Sequence, residues 1–278
     1  MKNDDSQEAL LPFITKASRY LGNEINAVKK DLSKVDLKFA LAFPDAYEVG
    51  MSHLGLHILY HVLNDREHIA CERAFAPWPD MEAEMKKKGM ALATLESRIP
   101  LTSCDIVGFS LEYELSYATI LRMLDLANIP LLAKYRDASF PLIIAGGPST
   151  YNPEPIADFF DAFVIGEGEE VLLEVCDAFR AWKKRKSPKH ELLDTLSTIS
   201  GIYVPSFFEV TYHHDGTVKK IIPLKKGYAQ IQKRVIADFN NVPYCTSPIV
   251  PYMQIIHDRV GIEIARGCSR AAASAWQA

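Results

Sequence analysis

No stretch of the 278 residues reaches the ~18 consecutive apolar positions that a membrane-spanning helix needs. The N-terminal residues Met1-Lys2-Asn3-Asp4-Asp5 are acidic overall, where a secretory signal would be basic and then apolar. A large excess of either charge is also missing. A net charge of −4 gives no electrostatic case for nucleic acid or an anionic membrane as a partner. The one basic run, Lys183-Lys184-Arg185-Lys186, closes a helical pattern, where the helix dipole favours cations and water solvates them. Paired cysteine spacing is absent, so the five scattered cysteines do not read as a disulfide framework. Internal repeats are absent too. With 48% apolar and 24% charged residues, what is left is a globular chain expected in the cytoplasm.

Apolar periodicity supplies the elements. Residues 7–34 carry Leu10, Leu11, Ile14, Ala17, Leu21, Ile25 and Val28 near the 3.6 period, which predicts an N-terminal helix. From Leu37 onward short apolar runs alternate with amphipathic segments. Strands are expected at 37–43, 69–77, 105–110, 141–147 and 161–168, and helices at 53–63, 79–88, 114–127 and 169–184. Residues 89–97 read as an extra strand or part of a crossover. Such alternation predicts an α/β fold, a doubly wound, flavodoxin-like parallel sheet of five strands, whose ligands bind beyond the strands' C-terminal ends. Residues 201–223 read as a β-hairpin turning at His214-Asp215-Gly216. Residues 224–257 read as a linker rich in turn formers, and 260–265 as a last strand. The expected divisions are 1–35, 36–186, 187–257 and 258–278.

Cys71, Cys104 and Cys176 sit in apolar patterns and read as small core residues, while Cys245 lies in a loop. His53 and His57, four apart on one helix, lack a third ligand and read as surface histidines. The loop after the first strand, Asp45-Ala46-Tyr47-Glu48-Val49-Gly50, resembles the Asp-x-His-x-x-Gly loop of cobalamin-binding domains. Tyr47 stands where that family's histidine ligates cobalt from below. Ser110-Leu111 ends the third strand, where the family carries a small hydroxyl residue near the nucleotide tail. Gly146-Gly147 ends the fourth, where the family's glycines admit a corrin or its tail. Gly166-Glu167-Gly168 then resembles the segment that closes such a domain before a radical SAM barrel. The string from Pro44 to Gly55 is similar to that of radical SAM proteins with a cobalamin-binding-like N-terminal domain.

Arg266-Gly267-Cys268-Ser269-Arg270 resembles the opening of the radical SAM iron–sulfur motif, Arg-Gly-Cys-Ser/Thr-Arg-Gly-Cys-Arg-Phe-Cys in one subgroup. The motif needs three thiolates spaced Cys-x3-Cys-x2-Cys, yet Ala272 and Ala275 follow Cys268 in the other two places. A coding stretch for Gly-Cys-Arg-Phe-Cys-Leu-Ala-Gly, read in a shifted frame, becomes Ala-Ala-Ala-Ser-Ala-Trp-Gln, which is Ala271 to Gln277 in order. A frameshift that truncates a longer protein is therefore expected.

The resemblance implies a [4Fe–4S] cluster with Cys268 as its first metal ligand, and S-adenosylmethionine as the source of a 5′-deoxyadenosyl radical. The N-terminal domain then carries a methyl group on cobalamin or has lost corrin binding. Two other functions stay open: a stand-alone corrin or nucleotide carrier, and a non-catalytic stub that associates with a protein partner.

Overall fold

The computed structural model describes residues 7–266. Its centre is a six-stranded sheet with spatial order β2-β1-β3-β4-β5-β6. The strands are β1 (Leu37–Phe43), β2 (Ile69–Phe75), β3 (Ile106–Ser110), β4 (Leu142–Gly146), β5 (Ala162–Val164) and β6 (Ile202–Tyr203). The first five run parallel. In register, Phe39 lies beside Cys71 on one neighbour and Ile106 on the other, and Ile106 pairs in turn with Leu142. Strands covered on both faces need apolar residues at nearly every position, and β1 is buried at six of seven.

Alternation along β1 then separates two cores. Leu37, Phe39, Leu41 and Phe43 face α2 (Leu54–Asn64) and α5 (Gly168–Arg185), meeting Leu56, Tyr60, Val171, Val175 and Phe179. Ala40 and Ala42 face α3 (Pro79–Lys88) and α4 (Tyr117–Leu126), with Met81, Met85, Ile120 and Met123. The short α1 (Tyr47–Gly50) leads from β1 towards α2. Helix ends follow the sequence chemistry. Pro79 opens α3, Asp80 and Glu82 fill its first turn, three lysines fill its last, and Gly89 (φ +64°) stops it in the left-handed region. A final helix, α6 (Lys189–Leu196), leads to β6.

Four expectations are corrected. The predicted helix over 7–34 is two 3-10 segments, Gln7–Phe13 and Ala17–Tyr20, followed by irregular chain. Pro12 interrupts the first segment, and Gly22 and Asn26 take positive φ, which a right-handed helix cannot continue through. The sheet has six strands rather than five. Gly201 (φ +88°) turns the chain so that Ile202 and Tyr203 pair antiparallel with Val164 and Phe163. The hairpin is correspondingly shorter: β7 (Phe208–Tyr212) with β8 (Val218–Pro223). Residues 260–265, expected as a strand, carry no strand pairing among the described residues and are exposed, since a strand exists only with a neighbour to bond. Residues 89–97 form the crossover, with one bridge, Ala93 to Pro100. No helix among the described residues is long and apolar enough to cross a membrane.

Candidate functional site

Parallel strands ending side by side leave a crevice beyond their C-terminal ends. Here it is an apolar cavity of about 440 Å3. Phe39, Leu41, Ile144 and Val164 form its sheet wall, and Ile58, Leu59 and Leu172 come from α2 and α5. Gly108, Gly146, Gly147, Gly166 and Gly168 present backbone instead of side chains. Ser110 and the partly exposed Glu112, His53 and Glu167 also line the cavity. Glu263 and Arg266, from the C-terminal segment, complete it.

Of the residues singled out from sequence, Ser110, Gly146, Gly147, Gly166, Glu167 and Gly168 thus meet at one place, although they come from three loops. Two of these glycines are also demanded by packing. At Gly147 (φ +117°) a Cβ would lie 2.7 Å from the Leu111 carbonyl oxygen, and at Gly166 (φ +111°) 2.1 Å from that of Arg234. Leu111 is buried behind the wall; its amide donates to the Gly146 carbonyl at 2.6 Å.

Asp45, Tyr47 and Gly50 lie elsewhere. Asp45 accepts the Ala46 amide at 2.7 Å and borders a separate groove of about 200 Å3 with Trp78 and Tyr113. Gly50 packs so closely that a Cβ would sit 2.4 Å from the Phe75 ring. Tyr47 is buried, and its hydroxyl donates to Glu24 at 2.7 Å. Burial, together with the Glu24 charge, pushes its phenol well above the ordinary value. Cys268 lies outside the described residues.

Glu112 escaped sequence reasoning, and His53 and His57 read there only as surface residues. The Ser110 hydroxyl donates to Glu112 at 2.6 Å, and the other Glu112 oxygen lies 3.3 Å from His53 Nε2. Burial alone would raise the Glu112 carboxyl, but His53 and Ser110 outweigh it and hold it below the ordinary range. His53 also caps α2, its Nδ1 accepting the Leu56 amide. His57 turns to the Met51 carbonyl at 2.9 Å, and burial lowers its affinity for a proton. No group of three His, Cys, Asp or Glu side chains among the described residues could hold a metal ion.

The C-terminal segment is tied to this loop rather than draped over it. The Arg234 amide donates to the Ile165 carbonyl at 2.9 Å, and the Glu167 amide to the Arg234 carbonyl at 3.1 Å. Arg266 donates from Nε to Glu263 at 2.6 Å and from Nη2 to Glu169, and its Nη1 pairs with the Glu167 carboxylate at 3.3 Å. One guanidinium therefore answers three carboxylates at the cavity mouth.

Fold and cavity together define a class: an α/β domain with a mostly parallel sheet and an apolar cavity where the strands end. The family described as "Radical SAM proteins, N-terminal" matches residues 55–205, from α2 through β6. The match spans more than half of the chain, and the chain belongs to that family. No curated protein matches it.

Proposed function

We propose that this chain is the N-terminal region of a radical SAM iron–sulfur protein, and that its sheet is a flavodoxin-like, cobalamin-binding-like domain whose cavity takes the base end of a nucleotide-bearing cofactor. The convergence of Ser110, Gly146, Gly147 and Gly168 on one apolar cavity carries this reading. The order 2-1-3-4-5 of the parallel strands supports it, because that order has its switch point beside β1 and β3.

The family implies a [4Fe–4S] cluster and S-adenosylmethionine in the parent proteins, where together they supply a 5′-deoxyadenosyl radical. This sequence offers Cys268 for the cluster and alanine at 272 and 275, and one thiolate does not hold it. For cobalamin, Tyr47 supplies no nitrogen and is engaged with Glu24, so a corrin would dock without a lower ligand from that position. The chain's own residues would do three things. The glycines let a flat body approach the strand ends, Ile58, Leu59 and Leu172 exclude water, and Ser110 with Glu112 offers polar contacts at the mouth.

The test is gel filtration of the chain with hydroxocobalamin, reading the visible spectrum of the protein peak. Stoichiometric co-elution is expected, together with its loss in Leu172→Trp, which fills the cavity. Wild-type protein eluting colourless overturns the corrin assignment.

A second reading, an interaction module with a protein partner, has its own observation. Val260, Ile262 and Ile264 are 76, 78 and 87% exposed on alternate positions of an unpaired segment. A concentration-dependent oligomer in sedimentation, lost in Ile262→Lys, supports it; a monomer at all concentrations removes it.

A further inference from the structure

The interior and the mouth of the cavity differ in chemistry, and the difference assigns the kind of ligand. The interior is apolar, so only the mouth can recognise charge. The titratable groups lining the cavity are the partly exposed Glu112, Glu167, Glu263, His53 and Arg266, and the buried Glu169 beside them. Four are carboxylates. Arg266 is already engaged by three of them, with Nε on Glu263, Nη1 on Glu167 and Nη2 on both Glu169 and Glu263. Its guanidinium also lies 5.2 Å from the centre of the Phe239 ring. Arg234 nearby is taken up by Glu170 at 2.8 Å and Glu174 at 2.6 Å. His53 faces Glu112. Both arginines are thus outnumbered by carboxylates.

We infer that the cavity selects ligands whose end at the mouth is cationic or uncharged, and disfavours a phosphate there. This rests on the reading of the cavity as a cofactor site and deepens it: the base enters, and any phosphate stays outside the acidic rim. A phosphate site would instead offer unpaired Arg or Lys, or amides free of competing carboxylates. The cavity volume of about 440 Å3 lies within the range of small-molecule sites, and its glycine floor suits a flat body. At the mouth, a cationic group a few ångströms from carboxylates that outnumber Arg266 gains, and a dianion loses, enough to separate affinities by about tenfold or more at moderate salt.

The experiment is calorimetric titration of the full chain with three probes of one shape: 5′-amino-5′-deoxyadenosine, adenosine and AMP. The expected order of affinity is amine, then adenosine, then AMP, with at least about tenfold between the first and the last. Raising the salt should narrow that gap. In Glu263→Gln, on the exposed segment, the gap should shrink about threefold with the melting temperature unchanged. AMP binding as tightly as adenosine, or more tightly, overturns the inference. Hydroxocobalamin separates the two claims. If it co-elutes but AMP outranks the amine, the cofactor site stands and the charge selection falls. If it does not while the expected order holds, the corrin falls and the selection stands. No heat from any probe overturns both the cavity as a nucleoside site and its selectivity.

Discussion

Arg73 and Arg266 are each surrounded by glutamates, and the two clusters do opposite things. Arg73 is fully buried on β2, its Nε donating to Glu96 at 2.6 Å and Nη2 to Glu24 at 2.8 Å. Its Nη1 reaches Glu24 at 3.2 Å, and Tyr47 adds a third bond to that carboxylate. The ring of Tyr60 lies 5.6 Å from the guanidinium. Nothing can enter this cluster: it knots the N-terminal segment and residue 96 of the crossover onto the sheet edge. Arg266 is 21% exposed on the C-terminal segment, facing a cavity. Similar groups are a structural knot where water is excluded on all sides and a charged rim where one side is open. Burial decides, because an unpaired charge is costly only where water cannot replace the partner.

The strongest way to break this comparison is to remove each arginine. Arg73→Met leaves two buried carboxylates without a cation and should cost about 3–5 kcal/mol in urea unfolding. Were the cost no larger than that of Arg266→Ala, burial would not be what separates the clusters. Next in size is Tyr47→Phe, expected to cost about 1.5–3 kcal/mol at neutral pH, since it deletes a hydrogen bond to a buried charge.

Its pH dependence has a defined sign. Burial alone would raise the Glu24 carboxyl, but the Arg73 charge and the bonds from Arg73 and Tyr47 hold it below its ordinary value of 4.5. Stability from Glu24 is therefore fully present above pH 4.5 and lost as pH falls through the lower folded-state value. The gap between wild type and Tyr47→Phe should narrow only below pH 4.5, as acid titrations of both proteins would reveal.

Gly166→Ala comes third. Its Cβ meets the Arg234 carbonyl, and its φ is left-handed, so a loss of at least about 1 kcal/mol and faster proteolysis within 228–266 are expected. Protection equal to wild type would mean that this bridge does not hold the segment. Arg266→Ala is the smallest, below about 1 kcal/mol and diminishing with salt, as melting curves at two ionic strengths would check.

Helices and strands from β1 to α5 were legible because their signals are local. Apolar runs, acidic first turns, basic last turns and stop glycines all act within a few residues. The loops that meet at the cavity were legible for a related reason: in a parallel sheet every strand's C-terminal end points to the same edge, so Ser110, Gly146, Gly147 and Gly166 had to converge once the sheet was recognised. Tyr47 shows the limit. Its place in the chain suggested the cofactor face, while Glu24, twenty-three residues earlier, drew its hydroxyl into the Arg73 cluster.

One signal was present and unused. Glu72-Arg73 lies inside a strand buried on both faces, and charges there require partners, although the sequence does not say which. The two-residue β6 carried a β signal, but the sequence placed it in the hairpin, since nothing local says that Ile202 and Tyr203 pair with β5 instead.

The sequence by itself determined the α/β alternation and the glycines at the strand ends. Tertiary structure alone decided that Glu24, Arg73 and Glu96 share one dry pocket, and that Glu167, Glu169, Glu263 and Arg266 share one rim. Periodicity records what each residue does with its near neighbours in the chain. Ion pairs across tens of residues form only after the sheet has brought the loops together, and the spacing within any one loop does not encode them.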